Sequence, residues 1–117
     1  MSRDDDQEFV RKLLRNEGRV EALSWLESDE RRNVGELSHE KSISLVRHLY
    51  KLGAVEIVAV DIGRHAGFES TDTLIAKLPS DRSSRRGNFE WNNERAREMG
   101  YEPESDEGQD HVLIWFD

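Results

Sequence analysis

The chain contains no cysteine and only two prolines in 117 residues. Without a thiol, a disulfide framework, thiolate catalysis, Cys-ligated zinc and iron–sulfur clusters are excluded. No apolar run approaches the roughly 20 residues of a membrane-spanning helix. The opening Met1-Ser2-Arg3-Asp4-Asp5-Asp6 also lacks the apolar stretch of a signal peptide. These absences lead to the expectation of a soluble, cytoplasmic protein with no membrane partner. Basic residues are in deficit as well: 17 Lys and Arg stand against 25 Asp and Glu, a formal charge of −8. Phosphate backbones would be repelled, so nucleic acid is not an expected partner. Nine of the acids fall in two stretches without a base, residues 4–8 and 102–110. The remaining surface is mixed in sign, and the net charge there serves solubility.

What is present is patterning on the scale of one domain, residues 1–117. Asp4–Asp6 followed by Phe9, Val10, Leu13 and Leu14 predicts a helix that Gly18 stops. Residues 20–28 read as a second short helix, and 33–37 as a short strand. Ser38 stands at an N-cap position ahead of an apolar stripe, Ile43, Leu45, Val46, Leu49, Tyr50 and Leu52, which Gly53 closes. The branched run 54–62 predicts a strand, and 71–78 another that Pro79 ends. Joined by the Gly63–Gly67 loop, the two should pair as a hairpin. Ser80 or Ser83 can cap a helix reaching Met99, with Gly100 beyond it. An acidic loop over 101–110 leads to a terminal strand at 111–117.

From residue 33 onward the order β-α-β-β-α-β resembles the ferredoxin-like split βαβ pattern. That resemblance implies an α+β sandwich over 33–117, preceded by a helical extension over 1–32. The strands are apolar on both faces: Val55, Ile57 and Ala59 oppose Val58, Val60 and Ile62, and Val112, Ile114 and Phe116 oppose Leu113 and Trp115. Two helices cover one face only. The second face needs either the N-terminal segment, through Phe9, Leu13, Leu14, Leu23 and Trp25, or a second copy of the chain in a homodimer.

No motif assembles a catalytic set. The chain has no nucleophile elbow, Walker loop or dinucleotide fingerprint, and its four histidines lack ligand spacing, so no catalytic residue, metal or cofactor is expected. Arg82, Arg85 and Arg86, beside serines at a helix start, are candidate anion ligands, as are Arg64 and His65 in the Gly63–Gly67 loop. For both groups a solvated loop or surface is the favoured reading. The acids of 102–110 lack EF-hand spacing and read as a solvated loop or a contact for a basic partner. Trp25, Trp91, Leu113 and Trp115 are candidate interface residues. The function these features favour is a non-enzymatic binding or regulatory module that acts through a protein partner or self-association. A small-molecule sensor for an anion or metabolite, a dimeric barrel-like enzyme, and an acidic immunity-type antagonist of a basic partner are the alternatives.

Overall fold

The structure, a computed structural model, describes residues 8, 10–12, 14–15, 19–100, 102–103 and 105–116. Residues 8, 10–12 and 14 are helical. Next come β1 (Val20–Glu21), α1 (Ala22–Ser28), β2 (Arg32–Val34), α2 (His39–Lys51) and β3 (Glu56–Val60). They are followed by β4 (Gly63–His65), β5 (Phe68–Thr71), β6 (Thr73–Lys77), α3 (Arg82–Glu98) and β7 (His111–Trp115). It is an α+β fold, and no helix among the described residues is long and apolar enough to cross a membrane.

α2 forms as its pattern dictates. Ser38 Oγ accepts the Lys41 N–H at the start. At the end Gly53, with φ +111°, lets its own N–H reach the Tyr50 carbonyl and the Ala54 N–H reach Leu49. Ser42, fully buried, ties the helix to β2: its hydroxyl donates to the Ser38 carbonyl and accepts the Val34 N–H, both at 2.8 Å. The cap of α3 differs from the expectation. Asp81, rather than Ser80 or Ser83, accepts the Ser84 N–H at 2.9 Å, and a carboxylate also suits the positive end of the helix dipole.

β3 and β6 pair antiparallel as the sequence predicts, but the intervening loop does not exist as one. Val60 faces Thr73 and Gly63 faces Ser70, three residues further along each strand, so the register runs on without a slip to His65 and Phe68. The turn is only Ala66-Gly67, whose φ values of +53° and +86° match the left-handed pair of a two-residue hairpin turn. Asp61, at φ +51°, marks a corner. There Thr71 Oγ1 donates to the Val60 carbonyl and accepts the Thr73 N–H. Beyond it the outer half of the hairpin leaves the main sheet, and β2 joins it parallel to β5.

The strand order is therefore not the ferredoxin-like one. The four-stranded sheet runs β1-β3-β6-β7 with every pair antiparallel, and β2-β5-β4 make a separate sheet. A split βαβ fold would set the strand after Asn33 beside the terminal strand. Here β2 offers one buried apolar residue, Val34, and pairs with the outer hairpin instead. β1, carved from the expected helix 20–28, supplies the fourth place. α3 is also placed differently. Phe89 is its only buried apolar residue, and Asn88 is buried because it donates to the Leu52 and Ser84 carbonyls. With so little to insert, α3 is held to its neighbours largely by polar bonds.

The main core lies on one sheet face and unites Trp25, Leu26, Val46, Leu49, Ile57, Leu74, Phe89 and Ile114. The opposite face buries Val58, Val60 and Ile75 with Val10, and Leu14 and Leu113 pack against them. The chain's own N-terminal helix thus covers its second face. Of the residues expected to do so, Leu14 takes part, Leu23 and Trp25 belong to the main core, and Phe9 and Leu13 lie outside the described residues. Ile62 likewise packs on the main core, because the left-handed Asp61 interrupts the alternation that would have sent it to the other side.

Candidate interaction surface

The sequence-derived anion candidates do not converge. Arg64 and His65 sit near the hairpin turn, while Arg82, Arg85 and Arg86 start α3, beyond the other end of the same hairpin. Arg85 is a fastener, not a free cation. Its side chain is 12% exposed and donates to Asp106 (2.7 and 3.1 Å), the Pro79 carbonyl (3.1 Å) and the Gln109 carbonyl (3.0 Å). The Asp106 carboxylate holds the guanidinium pKa above its ordinary value. In return Arg85, then the Gly108 N–H, hold Asp106 below its own. Gln109 braces the same loop through the Glu107 N–H and the Ser105 carbonyl. Arg82 and Arg86 are exposed.

Arg64 meets Glu69 at 2.8 Å, and Arg32 meets the other oxygen of that carboxylate at 2.7 Å. Register places the three directly abreast across β4, β5 and β2. Arg64, then Arg32, lower the Glu69 pKa. Arg32 also donates to the Trp25 carbonyl at 2.9 Å and lies over the Trp25 ring. His65 is exposed at the hairpin end. Among the described residues no group of His, Asp and Glu side chains could hold a metal ion.

The four interface candidates divide. Trp25 is 6% exposed and fills the main core, so it presents no surface. Leu113 is half-buried on the second face. Trp91 and the backbone of Trp115, in contrast, meet in one cluster at the end of β7. Its centre is Arg95, one turn after Trp91 on α3. The Arg95 guanidinium carbon lies 5.3 Å from the Trp91 ring centroid and 4.3 Å from that of Phe116. Its Nη2 donates to the Trp115 carbonyl at 2.9 Å and to the Met99 sulfur at 3.6 Å. The Trp115 ring, 41% exposed, lies on the sheet face of Leu113, opposite Phe116. Gly35 makes the place for Phe116: a Cβ there would stand 2.6 Å from the Phe116 carbonyl oxygen, and the φ of +55° admits glycine readily.

Arg95 and Phe116 were missed by sequence reasoning. The spacing of Trp91 and Arg95, four apart on a helix, was a readable signal for a stacked pair. Nothing local pointed to Phe116, because its approach depends on how β7 and α3 pack.

α3 also closes the sheet margin. The Leu78 N–H bonds Asp110 and the Phe116 N–H bonds Asp72, so the even-numbered residues of β7 face β6. The odd-numbered ones turn their peptide groups outward. Arg85 takes the outward Gln109 carbonyl, and Arg95 takes that of Trp115. Both ends of the open edge are thereby occupied by a helix, a known defence against strand-to-strand association.

Comparison with protein-family models, with characterised proteins and with solved structures returns no match to this chain.

Proposed function

We propose that the chain is a binding module that meets a partner protein through the shoulder formed by Trp91, Arg95 and Phe116 at the end of β7. The observation that carries this reading is Arg95: a half-buried cation, stacked between two rings, with no carboxylate partner among the described residues. Trp and Arg are the side chains that dominate protein–protein binding energy, and they do so where packing has already fixed them. A different protein, rather than a second copy, is the partner this reading favours. The N-terminal helix already covers the second sheet face, and two arginines hold the ends of the β7 edge.

A photo-crosslinking amino acid placed at Glu94, exposed and adjacent to Arg95, tests the reading in the cells that make the protein. The expected result is one defined crosslinked species, absent when the probe is moved to the exposed Glu40 of α2. Equal yields from both positions would sink it, and a crosslinked homodimer would transfer the role to self-association.

A further inference from the structure

We infer that the shoulder around Arg95 receives a carboxylate from its partner, an acidic side chain flanked by apolar residues. The inference rests on the binding-module reading and adds the chemistry of what is bound.

The three half-buried arginines among the described residues set the comparison. Arg32 is closed by Glu69 and Arg85 by Asp106, each at 2.7 Å. Arg95 has no such closure among the described residues. Among the described residues Glu98 raises its pKa through charge alone and makes no ion pair with it. Nη2 is spent on the Trp115 carbonyl and the Met99 sulfur, while Nε and Nη1 donate to no described group. Among the described residues no buried side-chain nitrogen or oxygen lacks a partner, so these two donors open to water. The aromatic walls clamp the guanidinium plane, which leaves little freedom to lose when a planar acceptor docks. What remains are two separate outward donors, Nε and Nη1, each able to give one charge-assisted bond to a carboxylate oxygen.

A carboxylate suits this place better than a phosphate. Glu94 and Glu98 flank Arg95 on α3, and the chain carries −8, so a phosphate dianion meets more repulsion than a single negative charge. The half-buried Trp91 and Phe116 rings, which hold the guanidinium, offer apolar contact on either side of the acid. That combination describes a peptide segment rather than a free ion.

The test pans a phage-displayed library of random dodecapeptides on the full chain, with counter-selection on Arg95→Gln. Enriched peptides should carry Asp or Glu next to an apolar residue. A synthetic version should bind about tenfold or more weakly to Arg95→Gln, the loss expected for a charge-assisted pair. It should lose as much when its own acid becomes the amide, and the two losses should not add. Arg97→Gln, on the exposed side of α3, should leave affinity unchanged. In NMR the Trp91 indole N–H signal should shift on binding, with buried Trp25 as the internal reference. If Arg95→Gln fails to fold, the amide peptide on the unaltered chain gives the answer alone. Peptides that shift the Trp91 indole but carry no acid overturn the carboxylate while leaving the surface in place. Peptides that leave the Trp91 indole unmoved overturn both, as does a library that enriches nothing. Displacement by inorganic phosphate at lower concentration than by glutamate would assign the site to phosphate.

Discussion

Arg85 and Asp106 face each other through two parallel bonds, Nη2 to Oδ1 at 2.7 Å and Nε to Oδ2 at 3.1 Å. This pair ties the acidic loop to the start of α3, and the same guanidinium caps the Pro79 and Gln109 carbonyls. Arg85→Ala leaves three acceptors without their donor and should cost about 2 kcal/mol in urea unfolding, with Asp106→Asn costing less. The pH dependence has a definite sign. Asp106 has a lowered pKa in the folded state, so its contribution is full above the unfolded carboxyl value near ~4 and is lost as pH falls from there through the folded value. The stability difference between the unaltered chain and Asp106→Asn should therefore shrink as melts are repeated below about pH 4.

Tyr50 joins three elements. Its hydroxyl donates to Glu21 Oε2 at 2.6 Å and accepts the Ile57 N–H at 3.0 Å. Glu21 in turn caps α1 on the Leu23 and Ser24 N–H groups. Burial and the Glu21 bond push the Tyr50 phenol up to about 12. Burial raises Glu21, but the Tyr50 hydroxyl and the capping amides outweigh it and leave the carboxyl below its ordinary value. In a Tyr101→Phe background, ultraviolet titration should show the remaining tyrosine ionising at about 12. The raised value means that the stabilisation is complete below about pH 10 and is lost as pH rises from there through 12. Tyr50→Phe strands the Ile57 N–H and should cost about 1–3 kcal/mol.

Gly35 carries the close approach of the β2–α2 connection to Phe116. Gly35→Ala places a methyl 2.6 Å from a backbone oxygen at a φ of +55°. Strain and overpacking together should cost about 2–4 kcal/mol, read as a lower unfolding midpoint. Because Phe116 is one wall of the Arg95 stack, the Trp91 and Trp115 indole signals should move in this variant while that of Trp25 holds.

The N-terminal helix is the cover of the second sheet face. Val10→Ala removes two buried methyl carbons and should cost about 2 kcal/mol. A chain lacking residues 1–18 uncovers Val58, Val60 and Ile75. It should bind a hydrophobic dye and associate in light scattering, where the full chain does neither. A truncated chain that stayed monomeric and dye-free would show that the face needs no cover.

α2 was legible because its cap, apolar stripe and glycine stop are all local. The β3–β6 pairing was legible too, since two branched runs with a short connection have few other choices. Within the connection, Gly63, Arg64 and His65 are polar and small, and nothing in them marks a strand. They become β4 only because Ser70, Glu69 and Phe68 stand opposite in register. The interaction surface was half legible. Trp91 and Trp115 drew notice as large aromatics, whereas Arg95 looked like one more charge on a charged helix.

By itself, then, the sequence determined an acidic α+β chain without disulfides, its long helices and an apolar pattern on both sheet faces. Those properties depend on neighbours within a turn of helix or a few residues of strand. Tertiary structure decided which strand lies beside which, that β1 replaces β2 in the main sheet, and that Arg95 stands between Trp91 and Phe116 without a carboxylate among the described residues. Several pairings of short apolar strands bury similar area. The choice among them falls to long-range fit, here the corner at Asp61, the thin apolar face of α3 and the arginines that fasten it to the ends of β7.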